Sequence, residues 1–231
     1  MHLMSVLVIL PAYNEEESIE RVVDNIVKKY PKYDYVIIND GSRDNTSKIC
    51  HKNNYNIVDL PVNLGLEGAF QTGLKYANLK KYEYAIQIDA DGQHNPDYID
   101  IMLKKASEGF DIVIGSRFET EKKPWSLRMF GSRLIGTAIK LTTGKKLSDP
   151  TSGMRLYNRK MIKEFANNIN YGPEPDTIAF LLKQGVNIAS VQVTMEERMA
   201  GASYLNFGKS IIYMLRMLIS ILLINNFRKR S

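Results

Sequence analysis

Short apolar runs alternate with amphipathic helical stretches through the first half of this sequence, and that alternation restricts the fold more than any other feature. Met4 to Leu10 reads as a buried strand, and Glu15 to Lys29 as a helix with Ile19, Val22, Val23, Ile26 and Val27 on one face. Further strands are predicted over Tyr35–Ile38, Ile57–Leu60, Tyr84–Ile88 and Ile112–Ile114. Helices are predicted between them over Asp44–Asn53, Glu67–Leu79 and Asp97–Ser107. Strands separated by helices call for right-handed crossovers, so the expected class is α/β with a mainly parallel sheet flanked by helices. No glycine-rich dinucleotide fingerprint or phosphate-loop lysine follows the first strand, and no repeat or linker divides the region.

With 231 residues the chain is long enough for one substantial domain with a well-buried core. Its 44% hydrophobic and 24% charged residues exclude a disordered or fibrous class. The net charge of +6 suits an anionic partner such as nucleotide phosphate, lipid phosphate or a membrane surface. Nucleic acid is not expected, because the basic residues are scattered and no recognition module is present. The single cysteine, Cys50, can form no internal disulfide, which fits a reducing compartment. Met1 to Leu10 runs straight into Pro11 without a cleavage region, so no signal peptide is expected and the chain is placed in the cytoplasm.

The strand at Tyr84–Ile88 ends in Asp89-Ala90-Asp91-Gly92-Gln93-His94. Two carboxylates one residue apart suit Mg²⁺ or Mn²⁺ holding a diphosphate at the sheet's carboxyl edge. The same residues would also make an ordinary polar turn. A calcium loop starting at Asp89 would want glycine and glutamate where His94 and Asp100 stand. After the first strand, Asn14 is a plausible helix cap, and the acids behind it complement the helix dipole. Neither explains Tyr13. After the second strand, Asp44 can cap the next helix, which leaves Asp40 to face the crevice, where an acid can accept hydrogen bonds from a base or ribose.

Several motifs in a fixed order resemble the GT-A glycosyltransferases of family 2. They are Val8-Ile9-Leu10-Pro11-Ala12-Tyr13-Asn14-Glu15, Asn39-Asp40-Gly41-Ser42-Arg43-Asp44, Asn63-Leu64-Gly65 and Asp89-Ala90-Asp91-Gly92-Gln93-His94. Gly115-Ser116-Arg117, Asp149-Pro150-Thr151-Ser152-Gly153-Met154-Arg155 and Glu197-Arg198-Met199-Ala200-Gly201-Ala202-Ser203 narrow the resemblance further. They point to the branch that includes dolichol-phosphate mannose synthase and bacterial polyprenyl-phosphate glycosyltransferases. The likeness runs from about Met4 to Leu205. It implies a GT-A fold, a single Rossmann-like sheet, over residues 1–205, followed by a separate segment over 206–231.

The resemblance also implies roles. Pro11, Tyr13, Glu15 and Asp40 would form the base and ribose pocket, and Asp89, Ala90 and Asp91 would meet the donor. Asp89, Asp91 and Gln93 would hold the metal, Mg²⁺ or Mn²⁺. Arg117 and Arg198 would lie against phosphates, and Arg128 and Ser132 would hold the acceptor lipid's phosphate. A spacing of four puts that last pair on one helix face. The catalytic set would be Asp91, Arg117, Asp149 and Arg198, with Asp149 the first candidate base if the acceptor were a sugar hydroxyl. An anionic polyprenyl phosphate would need no base, and a single displacement would invert the anomeric centre. One departure is Tyr204, where the family often has lysine; Lys209 is near enough in sequence to substitute.

The last third is predicted to hold a helix from about Tyr171 to Lys183 and a strand over Asn187–Val193, whose end delivers the loop Met195–Ser203 for closure over the donor. The tail from Ser210 to Phe227 is apolar but short of a ~20-residue span and interrupted by Arg216. It is expected to lie at a membrane interface, with Arg228, Lys229 and Arg230 favouring an anionic surface, or else to pack in a core or oligomer. The expected function is sugar transfer from a nucleotide-sugar, a UDP-sugar before GDP-mannose, to polyprenyl phosphate on the inner membrane face. A small membrane-protein partner or a second copy is allowed. The alternatives are transfer to a glycan hydroxyl and a noncatalytic nucleotide-sugar-binding regulator.

Overall fold

The computed structural model describes residues 5–168, 172–196 and 207–228, with the backbone alone at 127, 128 and 207–209. It contains β1 (Val6–Ala12), α1 (Ile19–Lys29), β2 (Asp34–Asn39), α2 (Thr46–Lys52), β3 (Ile57–Asp59), α3 (Gly65–Leu79) and β4 (Tyr84–Gln87). A 3₁₀ turn at Pro96–Tyr98 leads into α4 (Ile99–Ser107), then β5 (Ile112–Ser116) and α5 (Leu127–Thr143). The chain continues as β6 (Arg155–Asn158), α6 (Arg159–Asn167), α7 (Pro175–Lys183), β7 (Ile188–Gln192) and α8 (Phe207–Leu222). The strands form one seven-stranded sheet in the order β3-β2-β1-β4-β6-β5-β7.

The sheet is parallel except for β6, which runs antiparallel between β4 and β5. Neither β6 nor α6 is among the elements predicted above, and β6 carries no pattern that would reveal it. Four residues opening on an arginine, Arg155-Leu-Tyr-Asn, give no strand periodicity, although Arg155 is buried in the sheet opposite Gln87 and Ile114. The insertion has a consequence for the site. It brings the start of β6, and with it the loop 149–154, to the edge where the parallel strands end.

Alternation along β1 divides the core. Leu7 and Ile9 face one layer with Phe70, Tyr157 and Phe165, whose rings sit 5.1–5.7 Å apart. Val6, Val8 and Leu10 face the other layer with Val23, Ile26 and Met102. Cys50 is buried there, and loss of solvent pushes its thiol up to about 11, as suits an inert core thiol.

The tail packs as a helix on α5 and α7. Met217 and Ile221 of α8 enter the first core layer, and Met214 lies so close to α5 that a Cβ at Gly131 would fall 1.7 Å from its sulfur. Polar links fasten α8 to the start of α7: Tyr213 O–H donates to Glu174, Ser220 Oγ donates to Asp176 Oδ2 at 2.7 Å, and Asn225 Nδ2 donates to the Asp176 carbonyl at 2.8 Å. Burial pushes the Glu174 carboxyl above its usual range, against the pull of Tyr213 and Arg155. The opposite face of α8 is exposed and apolar, with Ile212 at 69% and Leu215 at 54%. Among the described residues no helix is long and apolar enough to cross a membrane.

Candidate active site

The sheet order places the topological switch between β1 and β4, because the chain leaves β1 toward β2 and β3 and returns on the other side as β4. Ligands of open α/β sheets bind outside the carboxyl ends at such a point. Pro11 and Tyr13 sit there at the end of β1, Asp40 at the end of β2, and Asp89 just past β4.

The first turn differs from the expected cap. Asn14 adopts a left-handed backbone (φ 56°) and α1 begins only at Ile19, so Asn14 does not cap it. Its side chain instead accepts from the Arg43 N–H at 2.8 Å, and its own N–H donates to Ser42 Oγ at 3.0 Å, tying the β1 turn to the β2 turn. Glu15 is held from both ends: its N–H donates to Thr46 Oγ1 at 2.8 Å and its carboxylate accepts from Ser18 Oγ at 2.7 Å. Asp44 does satisfy the start of α2, accepting from the Thr46 N–H at 2.9 Å. Asp40 is buried, and its Oδ1 accepts from the Leu64 N–H at 2.7 Å, which anchors the 63–65 turn.

Asp89 and Asp91 occupy a tight turn. Asp91 is buried and its Oδ1 accepts from the Gln93 N–H at 3.0 Å, whereas the Asp89 side chain is 36% exposed and takes a hydrogen bond from Gln87 Nε2 at 3.1 Å. Ala90 points into the core. His94, in the same turn, is buried. The Asp89 N–H donates to its Nδ1 at 2.9 Å. That bond needs a free lone pair on Nδ1, so the ring proton is on Nε2 and the 3.7 Å approach of Asp89 Oδ2 is not an ion pair. Gly153 packs on the same turn, where a Cβ would lie 3.1 Å from Asp89 Oδ2 and 3.2 Å from His94 Cε1.

Among the described residues no three His, Cys, Asp or Glu side chains gather to hold a metal. A cation between Asp89 and Asp91 would therefore be open to oxygens from outside the protein. With His94 Nδ1 committed to a backbone N–H, the groups this turn offers a cation are the hard carboxylate oxygens of Asp89 and Asp91, which fit Mg²⁺ or Mn²⁺ rather than a softer ion.

A second cluster lies at the end of β5. Arg117 holds Asp149 with two bonds, Nε to Oδ2 at 2.6 Å and Nη2 to Oδ1 at 3.0 Å, and Thr151 Oγ1 donates to Oδ1 at 3.1 Å. Ser132 of α5 is buried 3.4 Å from Thr151 Oγ1 and accepts from Lys123 Nζ at 2.8 Å. Sequence reasoning missed Lys123, which falls in no motif; its only signal was a charge close before the α5 residues. Buried Arg155 braces this loop by donating to the carbonyls of Ser152 and Pro150, both at 2.9 Å.

Glu196 N–H donates to the Gln93 carbonyl at 3.0 Å, and His94 bridges Met195, so the chain reaches residue 196 beside the acidic turn. Arg198 and Tyr204 lie outside the described residues. Arg128 stands in the first turn of α5 and Lys209 in that of α8, their side chains outside the description.

Residues 7–165 match the model of the family described as Glycosyl transferase family 2. The chain belongs to that family and is a glycosyltransferase. It is 30% identical to a protein of Methanococcus voltae named UDP-N-acetylglucosamine--dolichyl-phosphate N-acetylglucosaminyltransferase, over 92% of this chain and 95% of that one. It is 26% identical to the polyprenol monophosphomannose synthase of Mycolicibacterium smegmatis, over 85% of this chain and 79% of that one. In fold it resembles glucosyl-3-phosphoglycerate synthase from Mycobacterium tuberculosis, solved with Mn²⁺, uridine diphosphate and phosphoglyceric acid. The TM-score is 0.70 at 20% identity, covering 99% of this chain and 80% of that one.

Proposed function

We propose that this chain is an inverting, metal-dependent enzyme that moves a sugar from a nucleotide-sugar donor to polyprenyl phosphate at the cytoplasmic face of a membrane. A UDP-sugar is the first donor to try and GDP-mannose the second. The relatives named for dolichyl and polyprenyl phosphate support the acceptor, and the neighbour solved with Mn²⁺ and uridine diphosphate supports the donor and metal.

One observation carries the choice of acceptor. Attack by a sugar hydroxyl needs a base, and the candidate, Asp149, is fully buried with both carboxylate oxygens committed to Arg117. A phosphate oxygen is already anionic near neutral pH and attacks without a base. What it needs is placement and positive charge, which Arg117, Lys123 and the Ser132 hydroxyl offer. Asp149 then serves to orient Arg117.

The remaining roles follow the edge of the sheet. Pro11, Tyr13, Glu15 and Asp40 take the base and ribose, while Arg117, Arg128 and Ser132 take the acceptor phosphate. Arg198 adds a positive group at the diphosphate. Asp89, Asp91 and Gln93 hold the cation, which when bound stabilises the charge of the leaving nucleoside diphosphate. Residues 1–205 are the transferase domain and 206–231 its membrane segment. There the exposed apolar face of α8 meets lipid, and Arg228 favours an anionic surface.

The test offers UDP-, GDP- and dTDP-sugars with Mn²⁺ to the enzyme in the presence of either polyprenyl phosphate or a soluble glycan. The expected result is one lipid-linked product with inverted anomeric configuration by NMR; product on the glycan alone would overturn the acceptor.

A further inference from the structure

Lys123 is a half-buried cation with no carboxylate of its own. Among the described residues its ammonium makes no ion pair, and its hydrogen bond is to the neutral hydroxyl of Ser132. Asp149, the carboxylate beside it, is already taken up by Arg117 and Thr151. Phe118 lies under both cations, its ring centre 5.4 Å from Lys123 Nζ and 5.1 Å from Arg117 Cζ, which holds them near one another without neutralising either. Arg133 fixes the same loop by donating from Nη2 to the Lys123 carbonyl at 2.6 Å, its guanidinium lies over the Trp125 ring, and among the described residues its buried Nη1 has no hydrogen-bond partner. Two cations, Arg117 and Lys123, thus share one spent carboxylate, and Arg133 adds its positive charge on the Lys123 side. Burying an uncompensated charge is costly unless an anion joins it.

We infer that Lys123 is a direct ligand of the acceptor's phosphate monoester, completing with Arg117 and Ser132 a pocket of net positive charge. The inference rests on the proposed acceptor and adds a residue to that site. Burial pushes the Lys123 ammonium below the usual lysine range; Asp149 pulls it back up, while Arg117 and Arg133 push it further down. The bound phosphate reverses that pressure. Acceptor binding therefore weakens on the alkaline side as Lys123 loses its proton.

The test uses the full chain in detergent with a short-chain polyprenyl phosphate as acceptor, comparing wild type with Lys123→Met and Lys123→Arg. Lys123→Met is expected to raise the acceptor KM by about tenfold or more, the size of a lost hydrogen bond to a charged group. The donor KM, measured by metal-dependent donor hydrolysis without acceptor, stays unchanged. Lys123→Arg restores the acceptor KM and moves its alkaline rise to higher pH, which a merely structural lysine would not do. If Lys123→Met melts early, Lys123→Gln removes the charge and keeps a donor for Ser132. An unchanged acceptor KM in either neutral variant overturns the inference, as does a donor KM that rises in step. If the wild type labels no lipid phosphate at all, the acceptor reading fails. Inorganic phosphate binding then decides Lys123 separately: binding lost in Lys123→Met supports it as a phosphate ligand, and binding retained overturns it.

Discussion

Arg117 grips Asp149 through both arms of its guanidinium, at 2.6 and 3.0 Å, with the aspartate side chain wholly buried and the arginine 22% exposed. Breaking such a pair strands a buried charge, at a cost of about 3 kcal/mol or more. Asp149→Asn is expected to lower stability by that order in urea unfolding and to weaken acceptor binding through a misplaced Arg117. Unchanged stability combined with loss of the acidic limb of the pH–rate profile would instead mark Asp149 as a base.

Gly153 gives a sharper probe of the acidic turn. A methyl there would press on the Asp89 carboxylate and on His94 at 3.1–3.2 Å, so those groups must shift by a few tenths of an ångström. Since a ~1 Å misplacement can cost about a hundredfold, Gly153→Ala is expected to raise the Mn²⁺ concentration for half-maximal activity by about tenfold while the fold melts normally. A metal titration identical to wild type would show that Asp89 does not hold the cation.

Asp111 sets an acid limit on stability. Burial raises its carboxyl, but the Asn158 amide, the Asn187 N–H and Lys160 outweigh that and hold it below the usual range. A lowered folded-state pKa contributes stability that is present above the unfolded value of about 3.9 and lost as pH falls through the folded one. Asp111→Asn is expected to be less stable than wild type at pH 7, with the gap closing below about pH 4. A constant gap across that range would contradict the pairing.

The face of α8 carrying Ile212, Leu215 and Ile219 is exposed, so glutamate there should leave the fold within about 0.5 kcal/mol of wild type. Leu215→Glu with Ile219→Glu is expected to weaken co-sedimentation with anionic vesicles by at least about tenfold, given ~1.5–3 kcal/mol for each aliphatic side chain buried. Undiminished vesicle binding would show that another surface meets the lipid.

The sequence was most legible where local periodicity decides structure. Through β5 the predicted elements agree with the fold to within a few residues, because each strand is an apolar run and each helix, such as α1, shows its buried face at Ile19, Val22, Val23 and Ile26. It was silent where pairing is tertiary. Antiparallel β6 opens on a buried arginine whose partners come from distant strands. The following helix did carry a readable stripe in Met161, Ile162, Phe165 and Ala166. At the site, the motifs located Asp89, Asp91, Arg117 and Asp149 one by one. No spacing could show that the last two, 32 residues apart, pair with each other, that His94 turns inward to close the acidic turn, or that Lys123 joins Ser132.

The most direct measurement is transfer of radiolabelled sugar from a UDP-sugar to short-chain polyprenyl phosphate, followed by phase partition, for wild type and Asp91→Asn with Mn²⁺ or with chelator. Asparagine keeps the size of Asp91 and an acceptor for the Gln93 N–H while removing the charge. The predicted result is label in the lipid phase that disappears with chelator and falls at least about a hundredfold in the variant, the scale of losing one charge-stabilising group. Full transfer by Asp91→Asn, or donor consumption by the wild type with no labelled lipid, would contradict it.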